Sequence, residues 1–202
     1  KEIAKDLDAK IIGFNTGHIW EQLDLPLYLK KNGIPLLLNL VNTAPLFYNN
    51  NIVIVHDISW YHFPRYFSKK FYWWYKFLIP KNIKKSKILL SVSRFSINDI
   101  TKNFNLSDKR NDIIYNAVSE KFKFLNLNRE RIIMSVASLH YYKNILSLIK
   151  AFIRLKTNNK FPEYRLVLVG GYNNKVFAET EIFEYSKDRQ DVVFLGYVDD
   201  DK

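Results

Sequence analysis

Short runs of apolar, often β-branched residues recur along this chain, and segments with a helical period separate most of them. Lys10 to Phe14, Pro35 to Asn42, Asn51 to Ile58, Lys87 to Ser93 and Asp112 to Asn116 read as strands in the first part. Arg131 to Ser138, Arg165 to Gly170 and Val192 to Gly196 read as strands in the second. Several are apolar at consecutive positions, as in Ile52-Val53-Ile54-Val55, which suits a parallel sheet buried on both faces better than a one-sided antiparallel sheet. Between them, Ile145, Leu148, Ile149, Phe152 and Leu155 form one apolar helical stripe. Ser96 with Asp99 three residues later resembles a capping box, with Asp in the place that Glu usually holds. Strand and helix alternating in this way predict an α/β, doubly wound architecture.

The polar, charged stretch Ala117 to Arg129 interrupts the alternation and is the candidate boundary. It yields a first domain over residues 1–118, a linker over 119–130 and a second domain over 131–202, with both domains incomplete. Two sheets meeting there would make a cleft, a common place for ligands.

Composition narrows the class. Of 202 residues, 48% are hydrophobic and 25% charged, an ordinary globular balance that argues against disorder. The absence of cysteine excludes disulfides, thiolate zinc sites and a cysteine nucleophile, and fits a reducing cytosol. No apolar stretch reaches the roughly 20 residues of a spanning helix, and the first residues lack the apolar core of a signal peptide. The chain opens at Lys1 on what reads as the tail of a helix, so the natural start is expected upstream. The formal net charge of +11 favours a nucleic acid, an anionic membrane or a phosphate-bearing ligand, and is equally compatible with a solvated lysine-rich surface.

Candidate chemistry gathers at strand ends. His56 and Asp57 follow Ile52-Val53-Ile54-Val55, and ligands of open parallel sheets bind outside the carboxyl ends of strands. A histidine there serves as acid, base or hydrogen-bond donor to a sugar hydroxyl or phosphate, or is a loop residue bonded to backbone. A metal set of His56, Asp57 and His62 lacks helical spacing and is set aside. Ala137, Ser138 and the segment to Asn144 link a strand to the amphipathic helix. Lys143 and the helix N-terminus would together suit a diphosphate, although Lys143 is also simply what a surface loop carries. Gly170 permits close backbone approach to a ligand, or a tight turn. Finally, Tyr66 to Lys87 interleaves aromatic and basic residues, among them Trp73, Trp74, Lys81, Lys84 and Lys85. That mixture fits a membrane interface, a stacking surface for single-stranded nucleic acid, or one core helix with a solvated lysine end.

The order of these and neighbouring motifs resembles the family-four retaining glycosyltransferases (glycosyl transferases group 1, mannosyl- or rhamnosyltransferase-like). The resemblance is carried by Trp20-Glu21-Gln22, Val55-His56-Asp57, Phe63 to Ser68, Ser91 to Ser96, Ile114 to Val118, Val136 to Asn144, Leu166 to Gly170 and Phe194 to Val198. It implies the GT-B fold: two Rossmann-like parallel-sheet domains with the donor between them. It assigns His56 to contact with the transferred sugar, Lys143 to the donor diphosphate, and Phe194, Leu195 and Gly196 to a loop bordering the nucleotide base. Ala137 stands where the family usually has Gly, and Tyr142 where an Arg often precedes the Lys.

The resemblance further implies transfer of mannose or rhamnose from a nucleotide sugar to a lipid-linked or polysaccharide acceptor, as in O-antigen synthesis. No cofactor or metal is expected, and no nucleic-acid partner. The protein would sit in the cytoplasm, peripheral to an anionic membrane on the inner face of the cell membrane. The family's Gly-rich first loop is expected before Lys1 and its paired glutamates after Lys202, so residues 1–202 alone are expected to bind donor weakly and not turn over. The competing expectation is a catalytically inactive α/β domain that binds membrane.

Overall fold

The computed structural model describes residues 9–124, 126, 128–171 and 179–199. The chain divides into two compact units, Lys1–Glu120 and Lys121–Lys202.

The first unit is built on a parallel sheet in the order β1-β2-β3-β4: Leu37–Asn39, Asn51–Ile54, Ile88–Ser91 and Asn111–Ile113. Leu38 pairs with Ile52, Val53 with Leu89, and Leu90 with Asp112. The consecutive apolar residues of β2 are explained by this position, since Val53 and the following Val55 are fully buried. Ser91 is tolerated in the same interior because its hydroxyl donates to the Val55 carbonyl at 2.7 Å.

Among the described residues, four helices and a 3₁₀ turn at Pro64–Tyr66 accompany this sheet. Residues 17–31 form α1, in which α-helical Gly17–Ile19 and Leu25–Lys31 enclose a π-helical turn, Trp20–Asp24. Ser59–His62 is the short α2, Lys69–Lys85 is α3 and Arg94–Asn103 is α4. Ser68 caps α3 by accepting from the Phe71 N–H at 3.2 Å. At its other end, the Lys109 ammonium donates to the carbonyls of Lys84 and Ser86, placing positive charge where the helix dipole is negative. The core centres on Trp60, ringed by Tyr61, Tyr72, Tyr75 and Phe104 and joined to Ile79, Ile83, Ile97 and Ile100.

Two expectations change here. Lys10 to Phe14 is not a strand. Among the described residues it has no ladder partner. It wraps instead around Asp24, whose carboxylate accepts from the N–H groups of Phe14 and Asn15, while Trp20 Nε1 donates to the Ile12 carbonyl. The capping residue of α4 is Ser93, not Ser96: Ser93 Oγ accepts from the Ser96 N–H at 3.0 Å. Asp99 lies inside the helix and bonds His62 and Asn103 instead. Apart from Val192–Gly196, which is a strand over the expected residues, the remaining strands are shorter than the apolar runs that announced them, because most of those runs continue into the loops at the carboxyl ends.

The second unit is a parallel sheet in the order β5-β6-β7: Ile132–Val136, Arg165–Val169 and Val192–Gly196. Helix α5, Ile145–Thr157, buries Ile145, Ile149 and Phe152 against Leu166, Leu168 and Val192, most of the face its period announces, while Leu155 at the end of that stripe is exposed. Helix α6, Glu179–Ser186, adds Ile182. Burial on both faces holds for central β6 but not for edge strand β5, where Met134 and Val136 are exposed among the described residues.

Candidate functional site

In the first unit the candidate chemistry lies just past the carboxyl ends of β1 and β2. Val55 continues the ladder by donating to the Leu90 carbonyl at 2.9 Å, and His56 is the next residue out. Its own N–H donates to Asn42 Oδ1 at 2.8 Å, and its Nε2 lies 2.9 Å from the Leu40 carbonyl. The half-buried ring thus lies at the strand end as expected and is bonded to backbone, the alternative to a chemical role. Asp57 is exposed, and its Oδ1 accepts from the Ser59 N–H at 2.8 Å, an Asx-type turn that starts α2. One oxygen of this candidate carboxylate is thus engaged in local structure.

His62 joins neither of them. Its Nε2 lies 2.8 and 3.0 Å from the two Asp99 oxygens, tying α2 to α4. The set His56, Asp57 and His62 is thereby divided, and among the described residues no three acidic or histidine side chains gather as metal ligands.

In the second unit, backbone stitches the three strand ends together. Ala137 N–H donates to Val169 O at 2.9 Å, Gly170 N–H to Gly196 O at 2.7 Å, and Leu139 N–H to Gly171 O at 3.3 Å. Gly170 has φ +145°, and a Cβ there would overlap the Ala137 carbonyl. The close approach that requires glycine is therefore to the chain's own backbone. Phe194, Leu195 and Gly196 form the end of β7 rather than a free loop, with Phe194 packed on the core and Leu195 exposed. Phe194 pairs with Leu168 and Gly196 with Val169, so Leu195 is the extra residue of a bulge, and Gly196 takes φ +68° beside it.

Ser138 is half-buried between this stitching and a 3₁₀ turn, Tyr141–Lys143, which leads into α5. Lys143 is exposed, its ammonium 5.5 Å from the centre of the Tyr142 ring. Asn144, at the cap position, is left-handed (φ 56°, ψ 33°) and makes no side-chain cap bond, and α5 has no acidic residue in its first turn. Neither a capping side chain nor a first-turn carboxylate thus offsets the positive end of this helix.

The aromatic and basic segment becomes α3. Its inward face holds Leu78, Ile79, Asn82 and Ile83, so the core-helix reading is correct for half of it. On the outward face Trp73 is 62% and Phe77 47% exposed, with Lys81 Nζ 3.5 Å and Lys76 Nζ 5.0 Å from the ring centres of Phe77 and Trp73. Lys84 is exposed as well. Trp74 turns inward, against His18, and Lys85 donates to the Leu46 carbonyl at 3.0 Å. Among the described residues no helix is long and apolar enough to cross a membrane.

One group lay in a sequence motif without an assigned role. Glu21 and Gln22, in the π-helical turn, hold the loop at residues 40–46 through Thr43, Ala44 and Leu46. The Trp20-Glu21-Gln22 motif was the available signal, but no periodicity marks a partner 22 residues away.

Residues 117–202 match the family described as Glycosyl transferases group 1. The chain is 28% identical over 159 residues to "O-antigen chain mannosyltransferase RfbU" of Salmonella typhimurium, covering 78% of this chain and 42% of that relative. It is 34% identical over 150 residues to the "N-acetylgalactosamine-N,N'-diacetylbacillosaminyl-diphospho-undecaprenol 4-alpha-N-acetylgalactosaminyltransferase" of Campylobacter jejuni, covering 60% of this chain and 40% of that relative. The chain thus spans about two fifths of the length of the curated relatives it matches. In structure it is similar to the crystal structure of TarM, with a TM-score of 0.51 at 16% identity, over 85% of this chain and 35% of that one. That likeness concerns the fold, an α/β fold of GT-B type with two parallel sheets.

Proposed function

We propose that this chain, glycosyltransferase-like by the group 1 match of residues 117–202 and of GT-B type in fold, is part of a retaining glycosyltransferase. In this reading it moves a sugar from a nucleotide donor to a lipid-linked or polysaccharide acceptor in cell-surface glycan assembly. The observation that supports it most is the start of α5 within the matched segment. There an uncapped helix N-terminus and the exposed Lys143 offer N–H groups and charge to a diphosphate. Mannose or rhamnose is the favoured sugar. The Salmonella relative's name supports mannose, while the Campylobacter relative's name makes N-acetylgalactosamine the competing choice.

The proposed mechanism is a front-face displacement without metal. Departure of the nucleoside diphosphate leaves oxocarbenium-like charge on the sugar, and Lys143 with the α5 N-terminus offsets the negative charge of the leaving group. His56 orients the sugar through a hydroxyl, and the acceptor oxygen attacks from the face the diphosphate leaves, its bond to the sugar carbon forming as the sugar–diphosphate bond breaks and its proton passing to the departing diphosphate oxygen. The protein would act at the cytoplasmic surface of an anionic membrane, which the exposed face of α3 supports.

The test is saturation-transfer NMR of the 202-residue chain with guanosine-diphosphate mannose, thymidine-diphosphate rhamnose and uridine-diphosphate N-acetylgalactosamine. One of the three is expected to show transfer, and Lys143→Ala is expected to weaken it about tenfold, the loss of one charge-assisted contact. Absence of transfer from all three at millimolar concentration would remove the donor-binding reading. The second reading, a membrane-binding domain without catalysis, rests on Trp73 and Phe77. It would gain if the chain floated with anionic liposomes and ignored every nucleotide sugar.

A further inference from the structure

One loop, residues 40–46, holds His56: the Asn42 side chain accepts from its backbone N–H, and the Leu40 carbonyl meets its ring at Nε2. A carbonyl oxygen only accepts hydrogen bonds, so the 2.9 Å contact places the proton on Nε2. In the neutral ring the other nitrogen, Nδ1, is then a lone-pair acceptor.

The opposite side of the same loop is fastened from beneath. Thr43 Oγ1 donates to Glu21 Oε1 at 2.6 Å, and both residues are buried, 4% and 9% exposed. Gln22 brackets the loop further, donating to the Ala44 carbonyl at 3.0 Å and accepting from the Leu46 N–H at 2.9 Å. Asn82 of α3 donates to the same Ala44 carbonyl at 2.8 Å. The second Glu21 oxygen, Oε2, lies 3.2 Å from both His18 Nδ1 and Gln22 Nε2. The carboxylate is therefore fixed on both sides, and the π-helical turn is what presents Glu21 and Gln22, consecutive residues, to one loop.

We infer that Glu21 and Thr43 are positioning residues that hold the 40–46 loop, so that the Leu40 carbonyl keeps His56 in its Nε2–H tautomer with Nδ1 presented as an acceptor for a substrate hydroxyl. The last clause rests on the proposed sugar contact of His56; the tautomer and its dependence on Thr43 do not. In that tautomer His56 recognises a hydroxyl that donates to it. A sugar lacking that hydroxyl forfeits the bond.

Long-range proton–nitrogen NMR of the 202-residue chain, labelled at histidine, reads the tautomer directly, with His56→Gln assigning the resonance among the four histidines. The expected spectrum has Nε2 protonated and Nδ1 bare. Thr43→Val is expected to move the ring toward a mixture of tautomers, and Thr43→Ser, which keeps the hydroxyl, to restore it. A wild-type ring protonated at Nδ1 overturns the inference whether or not any variant folds. So does a Thr43→Val spectrum identical to wild type in a chain whose melting shows it intact. If the tautomer and its Thr43 dependence hold while His56→Gln leaves sugar binding unchanged, the sugar contact falls and the positioning of His56 stands.

Discussion

Single residues in this protein act through backbone more than through reactive side chains. Gly170 is the sharpest case, since its φ of +145° and the Ala137 carbonyl beside it exclude any Cβ. Gly170→Ala is expected to destabilise the second unit by at least about 1–3 kcal/mol, the usual cost of forcing atoms into filled space, as measured by chemical denaturation followed by circular dichroism. Asp191 illustrates a charge whose worth depends on pH. Arg189 grips it with two nitrogens at 2.9 and 2.7 Å and Lys156 stands 3.7 Å away, and the Arg189 bonds hold its carboxyl below the usual carboxylate range. A carboxyl depressed by folding adds stability above its unfolded value, about 3.9, and loses it as acid protonates the folded form. Asp191→Asn is therefore expected to lower the melting temperature at pH 7, with the difference from wild type vanishing as the pH falls well below 4.

Among the elements, α3 serves two surroundings with one helix. Its inner face belongs to the Trp60 core, and its outer face offers Trp73 and Phe77 between lysines. Trp60→Ala is expected to cost roughly 3–5 kcal/mol because the surrounding rings cannot close over the void. Tryptophan fluorescence will report the loss, all four tryptophans lying before residue 75. Replacing Trp73 and Phe77 by Ser removes no buried contact of comparable size. It is expected to leave the melt nearly unchanged and to lower recovery in flotation with anionic liposomes several-fold. Unchanged recovery would exclude this face from membrane contact. Helix α5 was the most readable element, because an unbroken stripe of period 3.6 has only one way to be buried. The cap of α4 was misread by three residues because Ser93 and Ser96 are both followed by plausible partners. Only the extended backbone of Ser93, φ −157° and ψ 159°, decides which one caps.

At the scale of the whole chain, 31 basic residues against 20 acidic ones make a cation of net +11. Attraction to an anionic surface is then expected to weaken steeply as ionic strength rises and the screening length falls from about 10 Å at 0.1 M to about 3 Å at 1 M. Flotation measured across that range separates charge attraction from the salt-resistant contribution of Trp73 and Phe77. The sequence by itself determined the parallel α/β class and seven of its strands, because period and β-branching are local properties that burial on a sheet enforces directly. It also placed His56 and Lys143 at the ends of elements, since a residue that follows a buried strand or precedes an amphipathic helix has few other places to be. Only the tertiary structure decided that Lys10 to Phe14 wraps around Asp24, that His62 belongs to Asp99, and that Gly170 clears space for Ala137. It alone joined Glu21 to Thr43 and that loop to His56. Those are contacts between residues distant in sequence, made by short polar groups whose partners are chosen by geometry in space, and no pattern along the chain encodes them.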